Sequence, residues 1–126
     1  MSRPALNLVV LRAANLEISL KFYQSLGLEF VQEQHGNGPI HYSCEIGSTV
    51  IEIYPGKPGT APDRKNAGAT TIGFQVENLD AVVKTLEDNR ISILTAPQES
   101  QWGRRAVVQD PDGRAVELSQ SNRSSR

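Results

Sequence analysis

The sequence is short of the residues that most often declare a protein's chemistry. It holds one cysteine, Cys44, one tryptophan and two histidines. A single cysteine excludes an internal disulfide framework and a zinc ribbon, and it fits a reducing compartment. No apolar run approaches the roughly 18 residues of a membrane span. Met1 to Pro4 carry no apolar core of a secretory signal, so a cytoplasmic protein is expected. Neither sign of charge dominates: 13 basic against 14 acidic residues leave a net charge of −1. That balance argues against a nucleic-acid groove or an anionic membrane surface as partner. The length of 126 residues fits one domain, and a 38% hydrophobic, 21% charged composition fits a globular one.

What the chain does have is an ordered alternation of strand and helix signals. Residues 6–11 are β-prone and read as a buried strand. Asn15 follows as N-cap, Leu16, Leu20 and Tyr23 recur at helical spacing, and Gly27 stops the helix. Residues 28–32 read as a strand. His41 to Ile46 and Thr49 to Tyr54 are strands joined by the turn Gly47-Ser48. Residues 55–69, rich in glycine and proline, read as a connector. The order then repeats: a strand at 70–76, Asn78 as N-cap, and a helix with Leu79, Val82, Val83 and Leu86 on one face. A strand at 91–94 and a loop at 97–103 follow. Strands at 105–109 and 114–119 are joined by Asp110-Pro111-Asp112-Gly113, a type I turn followed by glycine. The polar tail, 120–126, is expected to be disordered.

The repeat has a nearly constant offset. Asn15-Leu16-Glu17 matches Asn78-Leu79-Asp80 at 63 residues, and Glu52-Ile53 matches Glu117-Leu118 at 65. This points to an α+β domain of two tandem βαβββ units, at about 5–54 and 70–119. Side chains alternate along a strand, so Ile51 and Ile53 face the helix and Glu52 and Tyr54 face away. A two-residue hairpin at Gly47-Ser48 sets Ser43 opposite Glu52 and His41 opposite Tyr54. His41 is then a diagonal neighbour of Glu52. A tight turn at 110–113 sets Ala106 opposite Glu117, with Arg104 as its diagonal neighbour. An inward carboxylate needs a metal, an arginine, a cationic ligand or a shared proton. An ordinary strand glutamate is instead a solvated edge residue.

Together these elements resemble the vicinal oxygen chelate superfamily, which holds glyoxalase I, bleomycin-resistance proteins, fosfomycin-resistance enzymes and extradiol dioxygenases. The resembling stretches are 6–12, Asn15-Leu16, Phe22-Tyr23, Leu26-Gly27-Leu28, Glu52-Ile53-Tyr54, Asp110-Pro111-Asp112-Gly113 and Val116-Glu117-Leu118. The resemblance implies a curved mixed sheet around a cleft and a homodimer. In the glyoxalase pattern each unit supplies a first-strand ligand, histidine or glutamine, and a last-strand glutamate. The glutamate positions fall on Glu52 and Glu117, but the first-strand positions fall on Leu8 and Thr71. Leucine cannot coordinate a metal and a threonine hydroxyl is a poor ligand. No cofactor is therefore expected, since Glu52 and Glu117 alone make at most a weak divalent site. The dioxygenase pattern of two histidines and a glutamate also fails across the two units, because His35 and His41 both lie in the first.

Other residues carry two readings each. Arg12 matches an anion-binding arginine of glyoxalase I, or it neutralises Glu52 or Glu117. Tyr54 and Trp102 wall a ligand pocket, or they cover the core or a dimer seam. His41 is a hydrogen-bonded residue, a general base or a nitrogen donor beside Glu52. His35 reads as an exposed loop residue and Cys44 as inert core. Thr71 and Arg104 complete the candidate ligand-binding set. The leading expectation is a metal-independent protein that binds a cationic or amphipathic small molecule. The alternatives are a lyase, isomerase or dioxygenase-like enzyme using Glu52 or Glu117 as base, and a structural module with a vestigial cleft.

Overall fold

Leu8–Ala13 forms the first strand, β1, and Leu16–Gln24 the first helix, α1. The computed structural model describes residues 3–58, 70–101 and 103–120. The Asn15 side chain accepts the Ile18 N–H at 3.0 Å, the N-cap expected from sequence. The buried stripe of α1 is Ser19, Phe22 and Tyr23, continued by Leu26; Leu16 and Leu20 are only half-buried. Phe22 and Tyr23 meet edge to face at 4.8 Å. Three strands follow: β2 (Val31–Glu33), β3 (His41–Ile46) and β4 (Thr49–Pro55). The sheet order is β1-β4-β3-β2, with β1 and β4 parallel. Leu11, Ala13, Cys44, Ile51 and Ile53 are buried on one face, where α1 packs against β4.

The second unit repeats the plan. Its elements are β5 (Thr71–Gln75), α2 (Leu79–Asp88), β6 (Ile93–Ser100), β7 (Gly103–Gln109) and β8 (Ala115–Gln120). The order is β5-β8-β7-β6, with β5 and β8 parallel. Asn78 caps α2 by accepting the Ala81 N–H at 3.1 Å. Leu79, Val83 and Leu86 are the buried face of α2. The fold is thus α+β, two four-stranded mixed sheets each with one helix. The chain divides into two compact units, residues 1–59 and 60–126. Among the described residues no helix is long and apolar enough to cross a membrane.

Three boundaries differ from expectation for physical reasons. The strand expected at 28–32 runs from Val31 to Glu33, because its limits are set by pairing with β3 and not by its own apolar run. The loop expected at 97–103 is largely strand. β6 is an edge strand with two register shifts, and an edge tolerates Pro97. Gln120 belongs to β8, and its side chain accepts the Leu79 N–H at 2.7 Å. The rest of the expected tail and most of the connector lie outside the described residues.

Candidate functional site

The first hairpin has the expected register. Ile46 pairs with Thr49 across Gly47-Ser48, with Gly47 at φ 58° as a two-residue turn requires. Ser43 therefore lies opposite Glu52. Along the same face Val10 lies beside Glu52, Arg12 beside Tyr54, and Glu33 beside His41. Ile51 and Ile53 turn to α1, so Glu52 is left on the open face.

At one end of that face the side chains form a column. The His41 ring stacks on Tyr54 at 4.1 Å with an 8° tilt, and the Arg12 guanidinium lies over the Tyr54 ring, 5.0 Å from its centroid. His41 is only 1% exposed. Its Nδ1 lies 3.2 Å from the Pro39 carbonyl, which can only accept, so Nδ1 carries the hydrogen. The opposite nitrogen, Nε2, is buried without a hydrogen-bond partner among the described residues. It faces Glu33 Oε1 at 3.4 Å and Glu52 Oε2 at 4.0 Å. The His35 ring sits 5.0 Å from that of His41, and its Nε2 is 4.0 Å from Glu33 Oε1. His35 is exposed, as expected, yet it belongs to this cluster. Its loop is held by the Gly38 N–H donating to the His35 carbonyl at 3.0 Å and by Gln34 Nε2 donating to Gly38 at 2.9 Å.

A groove of about 930 Å³ runs along this unit, walled in part by Val31, Ser43 and Val50. Its wall carries four glutamates, Glu29, Glu33, Glu45 and Glu52, and, among the described residues, no lysine or arginine. Leu8 and Val10, 49% and 39% exposed, extend apolar surface on the open face of the same sheet. Cys44 is buried on the other face, and burial pushes its thiol pKa up.

The second unit departs from the expected register by one residue. Val107, not Ala106, lies opposite Glu117, so Arg105 replaces Arg104 as the diagonal neighbour. Arg105 Nη2 meets Glu117 Oε1 at 2.7 Å. The cause is the turn. Asp110 pairs with Arg114 around a three-residue loop, and Gly113 at φ 93° is the extra left-handed residue. The buried Asp110 side chain accepts the N–H groups of Asp112 and Arg114, both at 2.9 Å, which holds that loop. Arg104 turns instead to Asp80 at the start of α2, at 3.0 Å, and to Glu99 at 3.2 Å. Hydrogen bonding to Asp80, then to Glu99, raises its pKa.

The residues do not suit the metal arrangement implied by the resemblance. Leu8 faces Val50 with no donor atom, Thr71 is exposed beside Ala115, and Glu117 is engaged by Arg105. Trp102 lies outside the described residues. Sequence reasoning missed Glu29, Glu33 and Glu45. No local signal marks them; β2 and β3 pairing brings Glu33 beside His41.

A model of the Glyoxalase/Bleomycin resistance protein/Dioxygenase superfamily matches residues 5–118. An uncharacterised protein of Mycolicibacterium smegmatis (strain ATCC 700084 / mc(2)155) is 28% identical over 116 residues, covering 92% of this chain and 93% of its own. A glyoxylase/bleomycin resistance protein/dioxygenase domain from Frankia sp. EAN1pec has a TM-score of 0.70 at 21% identity, covering 96% of this chain and 100% of its own. TnmS3, an antibiotic binding protein from Streptomyces sp. CB03234, has a TM-score of 0.69 at 18% identity, covering 97% and 99%. At these identities the two structures show likeness of fold alone.

Proposed function

Because the chain belongs to the glyoxalase/bleomycin resistance protein/dioxygenase superfamily, we propose that it binds a cationic or amphipathic small molecule in the first unit's groove. The observation that carries this reading is the groove itself: about 930 Å³, four glutamates, aliphatic side chains between them and, among the described residues, no lysine or arginine. Its volume suits a drug-sized ligand, and an apolar wall with a few polar groups is the usual composition of such sites. The carboxylates select positive charge, and Val31 and Val50 contact the apolar part. TnmS3 supports the reading as an antibiotic binding protein on this scaffold.

Ligand capture in this reading is independent of the metal that the resemblance implies, since Leu8 and Thr71 offer no ligand at the first-strand positions. Arg12 and Tyr54 close one end of the open face. The reading as an enzyme with Glu117 as base is disfavoured by the ion pair to Arg105. The homodimer implied by the resemblance remains part of this proposal, and sedimentation equilibrium tests it.

The direct experiment is thermal-shift screening of chelator-treated protein with paired cationic and neutral isosteric amphiphiles. A cationic compound should stabilise and its neutral isostere should do so less. Glu52→Gln should weaken the cation by about 1 kcal/mol, roughly fivefold in Kd, and leave the neutral isostere unchanged. Equal response to both charge types would overturn the reading.

A further inference from the structure

We propose that Glu33, His35 and His41 form a binding site for a divalent first-row transition-metal ion of the zinc type, at the groove wall of the first unit. The donor atoms of these three residues all lie within 4.8 Å of one another. Leu8 and Thr71 take no part, so the misfit of those two positions does not bear on it. The inference rests on donor geometry and not on the small-molecule reading.

His41 carries the argument. Its Nδ1–H donates to the Pro39 carbonyl, so the lone pair of Nε2 points the other way. That arrangement, a ring nitrogen oriented by a carbonyl behind it, is how metal-binding imidazoles are held. Stacking on Tyr54 fixes the ring plane. Nε2 is buried, has no hydrogen-bond partner among the described residues, and faces two carboxylates at 3.4 and 4.0 Å. A lone pair facing two carboxylates is repulsive unless a cation lies between them.

That cation is either a proton or a metal ion, and the distances favour the metal. A charged N–H···O bond to a carboxylate spans roughly 2.7–2.9 Å. Tetrahedral ligands bonded at zinc distances stand about 3.3 Å apart. The spacing of 3.4 Å between Nε2 and Glu33 matches the second figure. His35 Nε2, 4.0 Å from the same oxygen, needs only a small swing of an exposed side chain. Two imidazoles and one carboxylate suit zinc, iron or nickel rather than calcium or magnesium. Three protein ligands leave a coordination position open, and Glu33, His35 and Glu52 all line the groove.

The test uses the full chain, stripped with chelator and titrated with Zn²⁺ by calorimetry, then with Co²⁺ by visible absorption. One equivalent should bind, with cobalt showing ligand-field bands of imidazole and carboxylate coordination. His35→Gln, on an exposed loop, should keep the fold and weaken Zn²⁺ by at least roughly a hundredfold, no less than the loss of an outer-shell partner. Asp88→Asn on α2 should bind Zn²⁺ as the parent does. Nitrogen NMR of stripped protein at pH 8 should show His41 as the Nδ1–H tautomer, a readout that survives if His41→Gln does not fold. No saturable binding below roughly millimolar Zn²⁺ (a Kd weaker than about 4 kcal/mol), unaltered affinity in His35→Gln, or a doubly protonated His41 at pH 8 would each overturn the proposal. None of these outcomes depends on whether an organic ligand binds.

Discussion

In the first unit Glu52 stands beside a buried histidine whose free nitrogen faces it at 4.0 Å; in the second, Glu117 stands 2.7 Å from Arg105. The strand order around the two is the same. Relative to its glutamate, His41 even occupies the position that Arg105 holds, two residues along from the directly opposed Ser43 or Val107. The difference is one of chemistry at matched places. Arginine always carries its charge and closes the pair, whereas histidine can present a lone pair and leave the carboxylates open to a third partner. A duplicated scaffold therefore supports an internally neutralised unit and an acidic, receptive one.

The comparison assumes that the two helices do equal structural work, and core truncation tests this most strongly. Phe22→Ala and Leu86→Ala, both at buried positions, should each cost about 2–5 kcal/mol in denaturant unfolding. A cost below about 1 kcal/mol for either would break the equivalence. Smaller effects should come from the caps: Asn15→Ala and Asn78→Ala should each cost about 1 kcal/mol, and a large imbalance would show that one helix start is held by other contacts.

Charge pairing sharpens the contrast at a still smaller scale. Arg105 and Glu117 side chains are 33% and 40% exposed, so Arg105→Met should cost no more than about 1 kcal/mol and less in high salt. The smallest expected change is Cys44→Val, which gives the first unit the residue found at the matching buried place, Val108; unfolding free energy should move by less than about 1.5 kcal/mol. In the parent protein, burial raises the Cys44 pKa, so the thiol persists above the roughly 8.5 at which free cysteine titrates. Its stabilising contribution is full below that pH and is lost as pH rises through the raised folded value. Alkylation of native protein at pH 8 should accordingly be slower than that of the unfolded chain, and equal rates would contradict this.

Much of the architecture was legible because it is local. Both asparagine caps act through side chains on the next turn, and Gly47-Ser48 sets its hairpin register through two backbone torsions. The second hairpin was misjudged because Gly113 adds one residue to the loop, and one residue exchanges Arg104 for Arg105 beside Glu117. Glu33 had no signal of its own: β2 is a three-residue strand whose existence depends on β3.

By itself the sequence determined the duplicated βαβββ order, most of the buried face of α2 and the two equivalent glutamates, because periodicity, caps and turn residues act over a few neighbours. Only the tertiary structure decided what each glutamate meets. Strand pairing over long separations brought Glu33 and His41 together, and one left-handed glycine delivered Arg105 to Glu117. Such contacts depend on register, which no single stretch of residues specifies.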